Sequence, residues 1–218
     1  MNYYFNEQDI KVLDRIVESR RSVRAFKEEV LSDSMIKAII HSGIYAPYAG
    51  LAVSGEMDFR RFFVIQNGSE NLNRINEIIK STAKSNLEQL EKKIEANPLL
   101  KEKSQSFTKI LSISSQMGLQ ALVEAPCFIV IAEHKGMPPV EKQSLAHTMQ
   151  NMWLKATVLG LGFRLISMIE NLTESKDFCE LLGVPYGEFA FNGCIIGYPI
   201  SEPSKRNNIS VDNVISWL

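Results

Sequence analysis

The chain has 218 residues, 45% of them hydrophobic and 22% charged, with a formal net charge of -1. That length is enough to bury a core, and the composition is ordinary globular usage rather than disordered or fibrous. A near-neutral balance offers no electrostatic footprint for nucleic acid or an acidic membrane, and no apolar run approaches the ~20 residues of a bilayer span.

The polar, acidic start MNYYFNEQDIKVLDR cannot serve as a signal-peptide core, so a cytoplasmic location is expected. Asp9 to Ser19 then places Ile10, Leu13, Ile16 and Val17 on one helical face. A polar, Arg-rich turn, RRSVRAFKEEV, follows. The next helix begins after Ser32, a good N-cap, repeats Ile36, Ile39, Ile40, Gly43 and Ile44, and is stopped by Pro47. Arg61 to Gln66 reads as a buried strand before the Asn67-Gly68 turn.

From Glu70 to Asn97 the pattern is helical and amphipathic, broken at Pro98. Leu87 to Gln105 is heavily charged and reads either as a solvated helix pair or, over 85–105, as a lid or partner-embracing hairpin. Phe107 to Val123 is expected to form one further helix, and Cys127 to Ala132 a fully apolar strand. A long helix, Glu141 to Leu159, ends at Gly160 and Gly162, with a strand over Phe163 to Ser167. A short helix from about Ser175 to Leu182 is closed by Gly183, and Phe189 to Tyr198 supplies the last core strand. With no repeat and no Gly/Ser linker, 1–218 reads as one domain: an α+β fold with a mixed sheet flanked by helices.

Cys127, Cys179 and Cys194 have no CxxC spacing and lie in apolar contexts, so they read as core thiols rather than as a disulfide or zinc framework. No G-x-G-x-x-G follows a first strand and no Walker sequence occurs, which directs the search to side-chain binding of phosphate. Arg20-Arg21-Ser22-Val23-Arg24 is the stretch with that chemistry. Guanidiniums chelate phosphate bidentately and a hydroxyl holds adjacent oxygens, whereas a solvated basic turn at a helix C-terminus is the plainer reading of the same residues. His41, His134 and His147 lie in dissimilar contexts, and no Ser-His-Asp or Cys-His arrangement is present.

Further fragments follow in order: Ala46-Pro47, FFVI, Ala125-Pro126, Gln150-Asn151-Met152, LGLG (Leu159 to Gly162) and IIGYP with Lys205-Arg206 beyond. Together with RRSVRAF this order and spacing resembles the nitroreductase family of FMN proteins over nearly the whole chain. The resemblance implies a domain completed by homodimerisation, with FMN at the interface. It implies that Arg20, Ser22 and Arg24 hold the FMN phosphate, ribityl chain and flavin edge, and that Arg21 adds main chain or a second phosphate contact. Lys205 and Arg206 fall where the family returns a basic pair to the phosphate. Pro47, Tyr48, Ala49, Gly50 and Leu51 match the loop that reaches the flavin from the other subunit, although the family's hydroxyl residue, Asn and Gln-Pro-Trp are absent here. Ile166, Ser167 and Met168 match the segment beside the flavin's reactive edge, where a backbone amide can donate to N5. The activity so implied is ping-pong transfer of hydride from NAD(P)H through FMN to a nitroaromatic, quinone or similar acceptor. The competing expectations are a specialised flavin-dependent dehalogenase or dehydrogenase, and a non-enzymatic flavin-binding or helical interaction protein with the charged Leu87 to Gln105 segment as partner surface.

Overall fold

The computed structural model describes residues 4–48, 53, 58–203 and 210–218. Among these residues four strands form one sheet in the order β1-β2-β4-β3: β1 (Arg60–Gln66), β2 (Cys127–His134), β3 (Gly162–Leu165) and β4 (Phe189–Gly197). All three pairings between these strands are antiparallel. Among the described residues, the parallel component of the expected mixed sheet is a single bridge, Ser22 to Phe163, on the outer side of β3.

Helices cover both faces, as the uninterrupted apolar stretches of β2 and β4 require. One face packs beneath α2 (Asp33–Ile44) and α6 (Glu141–Val158), with Ile36, Ile39, Met149, Met152, Phe163 and Cys194 in its core. The other packs beneath α3 (Glu70–Ala96), the short α5 (Gln120–Val123), a 3-10 helix over Ser167–Leu172 and α7 (Lys176–Leu182), around Ile75, Phe128, Phe178 and Phe191. Ser32 caps α2 and Ser175 caps α7, each accepting from the amide three residues on, and Gly183 closes α7 in the left-handed conformation.

Two boundaries differ from expectation. The helix placed at Phe107 to Val123 instead begins at Leu100 as α4 (Leu100–Met117) and breaks at Gly118. Gly118 adopts φ 69 and ψ -140, and the buried Asn76 of α3 accepts from the Leu119 amide at 2.6 Å and donates to the Met117 carbonyl. A Cβ at residue 118 would also meet that Asn76 side chain, so only glycine serves this turn. The strand expected to reach Ser167 stops at Leu165, because Ser167 opens the 3-10 helix. Residues 85–105 form the tip of the α3–α4 hairpin.

The first helix, α1 (Glu7–Ser19), is held by a capping box in which Asn6 accepts from the Asp9 amide and Asp9 accepts from that of Asn6. It buries none of its residues. Among the described residues no helix is long and apolar enough to cross a membrane.

Candidate functional site

Arg20 is the C-cap of α1, and from there the chain leaves the helix in extended conformation. It meets the outer edge of β3, where the Val23 amide donates to the Phe163 carbonyl at 3.0 Å, and then the residues just past β4, where the Lys27 amide donates to the Tyr198 carbonyl at 2.8 Å. The edge strand is thereby covered. This close approach needs Gly162, where a Cβ would stand 2.7 Å from Val23 Cγ1. The LGLG sequence therefore ends the helix and also leaves room for the arginine segment.

Arg20, Arg21, Ser22 and Arg24 together line an open cavity of about 240 Å³. The sequence-predicted cluster is thus brought to one place. Arg21 is half-buried, and its Nη1 is shielded from solvent with no hydrogen-bond partner among the described residues. An unmatched buried guanidinium nitrogen is costly unless an acceptor, such as water or an anion, completes it. That vacancy in hydrogen bonding fits a phosphate, which offers several acceptor oxygens in the geometry a guanidinium fork demands.

Two residues of the site were not legible as such in the sequence. Trp153 on α6 donates its indole N–H to the Arg21 carbonyl at 3.2 Å and places its ring 4.3 Å beneath the Arg20 guanidinium. In the sequence it is one more apolar residue in a helical stripe. Arg164 on β3 is half-buried, and burial, then the charge of Arg24, holds its guanidinium below its ordinary pKa. A charge in the middle of the apolar run FRLIS was the signal that could have flagged it.

The segment after β3 divides the roles of its three predicted residues. The Ile166 side chain is buried and its amide donates to the Gly193 carbonyl at 2.8 Å. Ile166 therefore anchors the segment and has no free amide to offer. Ser167 and Met168 occupy the first two positions of the 3-10 helix, where no intrahelical acceptor precedes their amides, and Ser167 is exposed. Gly193 permits this approach, since a Cβ there would meet Ile169 at 2.8 Å.

Pro47 and Tyr48 lie just beyond α2 and are not among the residues lining the arginine cavity. Tyr48 packs against Phe59 with ring centroids 4.4 Å apart, so the two ends of the connection to β1 meet. Ala49, Gly50, Leu51, Lys205 and Arg206 lie outside the described residues.

Residues 17–198 match the model of the nitroreductase family. The chain belongs to that family. Solved structures agree with the nitroreductase fold. A Bacteroides fragilis nitroreductase with bound FMN has a TM-score of 0.69 at 20% identity, covering 98% of this chain and 100% of its own. A Desulfitobacterium hafniense nitroreductase with bound FMN gives 0.64 at 20% identity, covering 99% and 100%. A provisionally named NADH oxidase of Clostridium acetobutylicum gives 0.56 at 18% identity, covering 91% and 96%. No curated protein matches the sequence.

Proposed function

We propose that this nitroreductase-family chain is a cytoplasmic, homodimeric FMN oxidoreductase, folded as one domain, that oxidises NAD(P)H and reduces a nitroaromatic, quinone or similar small acceptor. The observation that carries the reading is the buried, unmatched Arg21 Nη1 on a cavity shared with Arg20, Ser22 and Arg24. Bound there, FMN supplies the hydride chemistry, which requires no nucleophile or base from the protein. The chain's own residues bind and orient. Arg20 and Arg21 neutralise the phosphate, with Lys205 and Arg206 as further contributors. The Ser22 hydroxyl holds the ribityl chain, and Arg24 lies toward the flavin edge. The Ser167 or Met168 amide donates to the reactive edge.

Support for the dimer comes from α1, where Ile10, Leu13 and Val17 are 54%, 56% and 48% exposed along one helical stripe. An apolar stripe of this kind on a folded protein marks a surface that another chain covers. The loop from Pro47 to Leu51, of which the described Pro47 and Tyr48 are not among the residues lining the arginine cavity, would then reach the partner's.

The test is the visible spectrum of the purified protein, with its chromophore identified after denaturation, followed by steady-state kinetics with NADH or NADPH and a quinone. Released FMN and parallel double-reciprocal lines are expected, since two substrates use one site in turn. A protein that neither carries nor takes up FMN would overturn the proposal. Tight FMN binding without nicotinamide oxidation would leave only a flavin-binding function.

A further inference from the structure

We infer that Trp153 is the positioning residue of the phosphate cradle and sets the preference of this protein for a phosphorylated flavin over an unphosphorylated one. The inference rests on the FMN reading above. An arginine side chain has many rotamers, and two neighbouring guanidiniums repel, so a phosphate site must be held in shape before the anion arrives. Trp153 makes three contacts that do this. Its N–H donates to the Arg21 carbonyl at 3.2 Å, which fixes the main chain where α1 gives way to the extended segment. One ring face lies 4.3 Å from the Arg20 guanidinium carbon, an arrangement in which the indole quadrupole attracts the cation and limits its sweep. The ring also stacks on Phe163, with centroids 4.9 Å apart and planes 17° from parallel.

Phe163 is fully buried and bridges Ser22, so the stack connects the indole to the hydroxyl position as well. Trp153 thus braces Arg20, Arg21 and Ser22 from a helix whose neighbouring residues, Met152 and Ala156, are locked in the core. A plain packing role does not account for the pattern. Trp153 is only half-buried, and both its polar atom and a ring face are turned to the arginine segment.

Riboflavin is FMN without the phosphate, so the pair of ligands separates cradle effects from flavin effects. The experiment measures dissociation constants for FMN and riboflavin on the flavin-stripped full-length protein, as wild type, Trp153→Phe and Trp153→Leu, with melting temperatures alongside. Trp153→Leu is expected to weaken FMN binding by about tenfold or more while leaving riboflavin binding within about twofold, and Trp153→Phe to fall between. A parallel loss of both ligands, or no loss of either, would overturn the inference and reduce Trp153 to packing. Should Trp153→Leu fail to fold, Trp153→Phe keeps an aromatic face, loses the N–H, and still decides the point through the FMN-to-riboflavin ratio. A wild type that binds neither flavin would instead sink the FMN reading itself, and the inference with it.

Discussion

Arg60 and Arg21 place the same side chain in two opposite settings. At the start of β1, Arg60 is almost fully enclosed and each of its nitrogens has a partner within the chain. Nε donates to Glu133 at 2.9 Å, Nη1 to the Gly43 carbonyl at 3.0 Å, and Nη2 to the Ser144 hydroxyl at 2.7 Å. Arg21 keeps a shielded Nη1 with no partner among the described residues, beside an open cavity. A buried guanidinium completed by its own protein joins elements; one left incomplete is open to an external acceptor such as an anion. Arg60 joins the end of α2, β2 and α6, because Gly43, Glu133 and Ser144 come from those three elements. The end of α2 leads directly into the Pro47 loop, so the same bonds hold the stem of that loop.

The largest expected effect follows from removing Arg60. Arg60→Met leaves Glu133, with its side chain 3% exposed, as an uncompensated buried charge, and the loss of unfolding free energy is expected at about 3–5 kcal/mol. Urea denaturation checks this. A loss below about 1 kcal/mol would mean that water reaches the site and that the clamp is ornamental.

Arg21→Met sharpens the comparison from the other side. Among the described residues Nη1 has no partner to lose, so the unfolding free energy of the flavin-free protein should stay level or rise. FMN binding should weaken by about 1.5–3 kcal/mol, the worth of a charge-assisted hydrogen bond. Isothermal titration beside denaturation separates the two. A variant that loses stability and keeps its FMN affinity would reverse the assignment of Arg21.

The two arginines also show what the sequence makes legible. The RRSVR cluster stands out because several cations sit within five residues, and the helices and strands are readable from apolar periodicity and from caps such as Ser32. Arg60 carries no such signal. It falls one residue before the strand as the sequence delimits it, and its partners Gly43, Glu133 and Ser144 are distant along the chain. Trp153 was hidden for a related reason, since an aromatic residue on an amphipathic helix looks like core until tertiary structure sets it against Arg20. The break at Gly118 was missed because its cause, the side chain of Asn76, belongs to another helix. Local pattern reveals elements and clusters, whereas contacts closed across tens of residues must be seen in the fold.

The smallest effect concerns pH and distinguishes the forces acting within the Arg60 clamp. Burial pushes the Glu133 carboxyl up from its ordinary value of 4.5, against the lowering effects of the Ser144 hydrogen bond and of the charge and hydrogen bond of Arg60; Glu141, buried nearby, adds a smaller push upward. With the folded pKa raised, Glu133 contributes stability in full below its unfolded value, and that contribution is lost as pH rises through the folded one. Glu133→Gln removes the titration and keeps the shape. The stability of the wild type relative to Glu133→Gln should therefore decline as pH rises above about 4.5. Denaturation midpoints of the two proteins across a pH series measure the slope. The opposite slope, with the wild type gaining on the variant as pH rises, would show that attraction to Arg60 outweighs the desolvation of Glu133. In that case the clamp would stabilise the ionised carboxylate and would do for Glu133 what a bound phosphate is expected to do for Arg21.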